Sequence, residues 1–249
     1  MSEPILTYTE QYTVYRHDGD HHGRLKVAAL FRYAQQIATA HAMAVGLNDA
    51  LYAETHTAYV LAKVALHIEH TPRVDEVLTL TTKPEQVKHA VNKRITHVCN
   101  AVGEEVALLD SRWVLIDTEK RTILRKHPEQ FNGNWLEEVP EELPVKLTKV
   151  PDEECETLGS EYATYDRCDM NGHMNNTRYI DVICNALPLE LWDEYTVRDL
   201  RIVFHKEVPL GGSFVLKRKQ ITPEHWFFSG WNEGKRCFEA EIELCKESV

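Results

Sequence analysis

Four features are missing from this 249-residue sequence. It has no stretch of about 18 consecutive apolar residues, so no membrane-spanning helix is expected. Its first twenty residues, MSEPILTYTEQYTVYRHDGD, hold no basic segment followed by an apolar run, and a cytoplasmic protein is expected. The six cysteines (Cys99, Cys155, Cys168, Cys184, Cys237, Cys245) show no CxxC spacing, which argues against a zinc site and a small disulfide scaffold and leaves free thiols. An excess of positive charge is also lacking: 28 basic against 39 acidic residues give a net charge of -11, which disfavours nonspecific binding to a phosphate backbone. No nucleic-acid or membrane partner and no cofactor is expected. What remains is 43% hydrophobic, enough to bury a substantial core.

The chain reads as one pattern stated twice. YTVYRHDGDHHG, from Tyr12, and YATYDRCDMNGH, from Tyr162, match at an offset of 150, and each suits a strand running into a turn. An amphipathic helix is predicted after each turn. In the first copy Val27, Leu30, Phe31, Ala34, Ile37, Ala38 and Val45 follow helical spacing; in the second Tyr179, Ile180, Ile183, Cys184 and Leu187 do so. Arg32-Tyr33 and Arg178-Tyr179 are read as equivalent points on the two helices. VALHIEHTPRVDEVLTL and IVFHKEVPLGGSFVLKR then echo each other, with His67 and Glu69 opposite His205 and Glu207 at an offset of 138. Later segments, NKRITHVCNAVGEEVALLDSRWVLID and EHWFFSGWNEGKRCFEAEIELC, read as hairpins with a glycine-containing turn. The expected organisation is α+β, with a first unit over 1–127, an extended and solvated Pro- and acid-rich connector over 128–158, and a second unit over 159–249. Each unit is a long helix packed on a curved antiparallel sheet.

The stretch CDMNGHMNNTR, 168–178, admits three readings. Asn171, Asn175, Asn176 or Thr177 can cap the second helix. DMNG resembles part of a calcium loop, but counting from Asp169 puts Ile180 at the twelfth position, and counting from Asp166 puts Cys168 at the third, so the oxygen ligands are missing. The catalytic reading rests on alternation: in an extended segment Asp169, Asn171 and His173 share one side, at the mouth of a helix whose free amides stabilise an oxyanion. GDHHGRLKV in the first copy lacks the DxNxH order, which favours one active copy. The histidines of RHDGDHHG are open to an adventitious metal, although no resident metal is expected.

DxNGHMNNTRYID, preceded by YxxYDxC and followed about thirty residues later by FHKE, resembles the acyl-acyl carrier protein thioesterases of plants and bacteria, a double-hotdog family. The resemblance extends over nearly the whole chain and implies an active site of Asp169, Asn171, His173 and Glu207 in the second hotdog domain, with the first lining much of the acyl pocket. FHKEV departs from the YRREC of many plant members: Val208 stands where a cysteine would, so no thiol serves there. The implied reaction is hydrolysis of fatty acyl-acyl carrier protein to free fatty acid and holo-carrier protein in fatty acid biosynthesis. Glu207 is read as the base that activates water, or as a nucleophile forming an anhydride. His173 manages the leaving thiol, Asn171 donates to the carbonyl or water, and Asp169 orients the turn.

The implied partner is acyl carrier protein with its 4'-phosphopantetheine arm, an acidic partner that calls for a cationic patch. Candidates are Lys88, Lys93 and Arg94; Lys120, Arg121, Arg125 and Lys126; and Lys217, Arg218 and Lys219. An acyl-CoA thioesterase, a non-catalytic acyl-binding double hotdog and a dehydratase are the alternatives. Met43, Val45 and the helix face over 27–38 are candidate pocket-lining residues, and a monomer and a homodimer are both compatible with the sequence.

Overall fold

The computed structural model describes residues 4–131 and 135–247; residues 1–3, 132–134 and 248–249, which belong to the expected first unit, connector and second unit, lie outside the described residues. The first copy runs β1 (Tyr8–Thr13), α1 (Val27–Ala44), α2 (Asp49–Thr55), β2 (Thr57–Ile68), β3 (Val77–Pro84), β4 (Val91–Cys99), β5 (Glu105–Asp117) and β6 (Thr122–Ile123). The second runs β7 (Glu156–Tyr162), α3 (Asn176–Asn185), α4 (Leu191–Glu194), β8 (Tyr195–Phe204), β9 (Ser213–Gln220), β10 (His225–Asn232) and β11 (Lys235–Lys246). The strand order is β1-β3-β4-β5-β2-β8-β11-β10-β9-β7, with β6 on β5, so each half repeats one order and the halves meet edge to edge at β2 and β8. That seam is antiparallel, from Lys63 opposite Val203 to His67 opposite Asp199. It pairs the β2 edge of one half with the β8 edge of the other and leaves β1 and β7 at the ends of the sheet.

The hairpins form where their turns were expected. Between β10 and β11 the two-residue loop is Glu233-Gly234, with φ of +50° and +73°, the type I′ geometry that suits the twist of paired strands. Helix α1 buries Val27, Leu30, Phe31 and Ile37 against the sheet, and α3 buries Tyr179, Ile180, Val182 and Ile183 in the same apolar core. The two helices touch each other, with Arg32 and Asp181 3.7 Å apart. Met43 is exposed, which withdraws it from the candidate lining; Val45 packs against a smaller cluster around Leu47, Leu115 and Phe131.

The connector is extended but not simply solvated. Val139 and Val150 are buried, the Val139 amide donates to Glu85 Oε2 (3.0 Å), and the Leu143 amide donates to Asp110 Oδ2 (3.1 Å). Farther along, the Thr148 amide donates to Glu241. Asp110 and Glu241 are fully buried, so the connector supplies hydrogen bonds that the sheet's interior acids need. Arg94 reaches His41 on α1 while its neighbour Lys93 reaches the connector at Val139; the connector therefore crosses the sheet face opposite the helices.

The repeat itself is offset differently from the sequence match. Backbone hydrogen bonds equate Val14, which exchanges bonds with residues 75 and 76, with Ala163, which does so with 211 and 212: the spacing is 149 residues, not 150. Tyr12 and Tyr162 are thus one step apart in the fold. Arg32 and Arg178 are not equivalent either: Arg32 is the sixth residue of α1 and Arg178 the third of α3. In the later segment Glu69 and His70 both donate to Val106 O as His205 and Lys206 both donate to Cys237 O, which makes the spacing 136 and not 138. His67 is therefore no counterpart of His205, and the position matching Glu207 is Thr71.

Candidate active site

The polar stretch is a tight turn rather than an extended segment. Gly172 N donates to Asp169 O and Asp169 N to His173 O, both at 3.0 Å, and Gly172 takes φ +74°, a conformation that favours glycine. The turn lies against the loop after β8: Met174 N donates to Val208 O and Leu210 N to Gly172 O, each at 2.9 Å. This pairing carries His173 to Glu207, with Nε2 and Oε1 3.5 Å apart. Val208, beside Glu207, is buried, and the floor below is aromatic, with Tyr179 5.6 Å from Phe204 and 5.0 Å from Phe238 between ring centres.

Asp169 and Asn175 hold the turn to the helix. Asp169 Oδ1 accepts from the Asn171 amide (2.9 Å) and Oδ2 from Asn175 Nδ2 (3.1 Å). Asn175 Oδ1 in turn accepts from the Thr177 amide at 2.9 Å, so Asn175 is the N-cap of α3. Cap and site are parts of one network. The side chains of Asp169, Asn171 and His173 do not converge by strand alternation as the sequence pattern suggests: the Asp169 carboxylate points into the turn's own backbone, and Asn171 lies exposed at the tip.

One residue that sequence spacing did not connect to this site comes from the other half. Arg121, in the turn between β5 and β6 with φ +53°, donates Nη2 to Glu207 Oε1 at 2.5 Å. In sequence it groups with nearby cations, and nothing local marks it as the partner of a carboxylate 86 residues away. Glu207 thus meets Arg121 and His173 at one oxygen, while Oε2 has no protein hydrogen-bond partner among the described residues.

The thiols are poorly placed for nucleophilic work. Burial pushes the Cys168 thiol up, with Asp169 and Asp166 adding to it, and burial pushes Cys184 up to about 12 with help from Asp181. His67 and Glu69 lie elsewhere: His67 Nδ1 is 2.8 Å from Asp199 Oδ1 and Nε2 3.4 Å from Glu69 Oε2, a bridge across the β2–β8 seam.

Many of the candidate docking cations are engaged with acids. Lys88 and Lys93 contact Glu85, Lys120 contacts Asp117, and Lys217, Arg218 and Lys219 contact Asp152, Glu156 and Glu154. Arg94 is buried, bonded to His41 and Thr82. Arg125 and Lys126 are exposed, with no acidic partner within 4 Å among the described residues. They follow β6 in the chain, whereas Arg121, in the turn before β6, is the cation of this group that reaches the site.

Comparison with known sequences gives matches over both halves. Residues 5–133 match the family model of the acyl-ACP thioesterase N-terminal domain, and residues 155–243 that of the C-terminal domain. A curated relative, oleoyl-acyl carrier protein thioesterase 1, chloroplastic, of Arabidopsis thaliana, is 23% identical over 225 residues, 83% of this chain and 62% of the relative. The chain thus spans under two thirds of that relative's length. Among solved structures, an acyl-ACP thioesterase from Bacteroides thetaiotaomicron superposes with a TM-score of 0.87 at 22% identity, covering 98% of this chain and all of the other. The 12:0-ACP thioesterase from Umbellularia californica superposes with a TM-score of 0.86 at 16% identity, covering 97% and 95%. These likenesses establish the double-hotdog fold expected from the sequence.

Proposed function

Since the chain belongs to the acyl-ACP thioesterase family, we propose that it hydrolyses fatty acyl-acyl carrier protein, releasing free fatty acid and holo-carrier protein in fatty acid biosynthesis. The observation that carries this reading is the pairing of His173 with Glu207, 3.5 Å apart, in the second copy, where the first copy has Arg24 and Thr71. Glu207 takes a proton from water through its free oxygen, and the resulting hydroxide attacks the thioester carbonyl. Collapse of the tetrahedral intermediate breaks the C–S bond, and the proton that Glu207 took from water passes by way of His173 to the departing thiolate, leaving both side chains as they began. Asn171, at the exposed tip of the turn, is assigned as a donor to the substrate carbonyl, and Asp169 as the residue that holds the turn to α3 through Asn175. Attack by Glu207 itself, through an anhydride, uses the same geometry.

The second domain carries the chemistry and the first lines the acyl pocket in this reading. Acyl carrier protein docks on the β6 side of the molecule, where Arg125 and Lys126 have no acidic partner among the described residues and Arg121 reaches Glu207. The enzyme acts in the cytoplasm, although the plant relatives are described as chloroplastic; no described helix is long and apolar enough to cross a membrane. The test is a panel of acyl-acyl carrier proteins and the matching CoA esters assayed with wild type and Glu207→Ala. Hydrolysis of the carrier-bound series that is lost in the variant supports the assignment. Unchanged hydrolysis by the variant removes it, and a preference for the CoA series moves the substrate to acyl-CoA.

A further inference from the structure

The counterpart of the catalytic turn, 149 residues earlier, keeps the fold and changes the chemistry. Asp20 N donates to Arg24 O at 2.8 Å, as Asp169 N does to His173 O, and Asp20 Oδ1 accepts from the His22 amide at 2.9 Å, as Asp169 accepts from Asn171. Where the second copy has Met170 and Asn171 at the tip, the first has His21 and His22. Both imidazoles turn toward α4 of the other half: His21 Nε2 lies 3.4 Å and His22 Nε2 3.2 Å from the same oxygen, Asp193 Oδ1.

Those distances match the edges of a coordination tetrahedron. Nitrogen and oxygen ligands about 2.0–2.1 Å from a tetrahedral zinc ion lie about 3.3 Å from one another. All three donor atoms fall within 4.8 Å of each other, and the side chains are exposed, so an ion has a path in. The frame is also set in advance. Arg24, only 2% exposed, donates to Asp20 Oδ2 (2.8 Å) at the base of the histidine turn and to Trp192 O (2.5 Å), the residue before Asp193. One buried guanidinium therefore fixes the backbone on both sides, and an ion entering the cluster does not have to order it.

We propose that His21, His22 and Asp193 bind a divalent first-row transition metal of the zinc class, tying the first copy's turn to the second copy's α4. Two imidazoles select such an ion over calcium or magnesium, which prefer all-oxygen sites. Three protein ligands leave a fourth position open. Beside it, with His21 in its wall, is a cavity of about 200 Å³ lined by apolar residues such as Leu25, Val27 and Trp192 and by polar ones such as Asp20, Arg24 and Asp181, so water or a small ligand with an apolar body and a polar group is the fitting fourth partner.

The full chain, treated with chelator and dialysed, is titrated with Zn2+ by calorimetry and with Co2+ by visible absorption. Wild type is expected to bind one equivalent of zinc and to give the intense bands of tetrahedral Co2+. Zinc at 100 times the Kd raises Tm by on the order of 5 °C, reversed by chelator. His21→Ala with His22→Ala, and Asp193→Asn alone, weaken binding by at least roughly tenfold, whereas His17→Ala, in the single 3-10 turn Arg16–Asp18 before these histidines, leaves it unchanged. Absence of stoichiometric binding in wild type overturns the proposal, as does binding that survives these substitutions, which places the ion on other histidines. If Asp193→Asn does not fold, the wild-type Co2+ spectrum and the histidine double variant decide. None of these readouts depends on thioesterase activity.

Discussion

The two turns, Asp20–Arg24 and Asp169–His173, have nearly the same backbone and opposite occupations. In each an aspartate accepts from the amide two residues on, a glycine follows in the left-handed conformation (Gly23 at +73°, Gly172 at +74°), and the next residue bridges to the loop after the long strand. In the first copy that next residue is Arg24, sunk into the junction and bonded to Asp20, Trp192 O, Tyr195 O and Glu247. In the second it is His173, about a third exposed and facing Glu207. The hotdog frame therefore supplies two equivalent platforms. One holds the halves together; in the proposed mechanism the other serves the chemistry, because a residue that must meet substrate cannot also be fully consumed by buried contacts.

Substitutions at the paired positions test this division most directly. Glu207→Ala and His173→Ala are each expected to lower kcat by about 10²–10⁴-fold, with Tm nearly unchanged, since a positioned acid or base contributes on that scale. A loss below tenfold for both would remove them from the chemistry. Arg24→Ala should do the reverse: about 3 kcal/mol of stability lost, read as a lower denaturation midpoint, because Asp20 and the Trp192 and Tyr195 carbonyls lose a buried donor. Were Arg24→Ala to cost less than about 0.5 kcal/mol, comparable to an ordinary surface change, the junction would not depend on it.

A smaller effect is expected at the link between turn and helix. Asn175→Ala removes the cap of α3 and the Asp169 partner together, and about 1 kcal/mol of stability should go with the cap. The first copy has no such link, since Lys26 at the equivalent cap position makes no side-chain cap bond. Asp169→Asn should then lower kcat while sparing the cap. Equal kinetics for wild type and Asp169→Asn would show that the turn holds itself.

What is legible in the sequence follows from the range of the interactions. The turn residues, the Asn175 cap and the Glu233-Gly234 hairpin are decided within a few residues, so their side-chain types announce them. Glu207 is legible through the family resemblance, not through spacing. The sequence offsets of 150 and 138 differ from the structural 149 and 136 because Tyr12 and Tyr162, or His67 and His205, look alike as residues, while the fold aligns the copies by backbone hydrogen bonds that Val14 and Ala163 make equally well. Arg121 on Glu207, Arg24 under Trp192 and the β2–β8 seam join residues from different halves, and no local pattern encodes them. The connector misled for a related reason: its acids and prolines suggest solvation, but its backbone amides serve Asp110 and Glu241.

Arg121 sharpens the comparison at the catalytic side. Three quarters of its side chain is exposed, so Arg121→Ala should leave stability within about 0.5 kcal/mol. Its kinetic effect depends on what it serves. If it guides the carrier protein, kcat/KM on acyl-acyl carrier protein falls more at low than at high ionic strength, with the CoA esters little affected. If it holds Glu207 in place, both substrates lose kcat alike at every salt concentration. An unchanged profile on both would leave the pairing without consequence.

The smallest predicted effect lies at the seam between the halves. Burial disfavours the charged form of His67, but Asp199 and Glu69 outweigh it and raise its pKa above the ordinary imidazole value. The protonated form is thus favoured in the folded state. Its contribution to stability is complete below the unfolded pKa near about 6.5 and fades as pH rises through the higher folded value. Chemical denaturation from slightly acid to mildly alkaline pH should show a small extra loss of stability in wild type that is absent in His67→Gln. A variant whose profile parallels wild type would mean that β2 and β8 are held by their backbone ladder and core alone, with the ion pair contributing nothing to the union of the two copies.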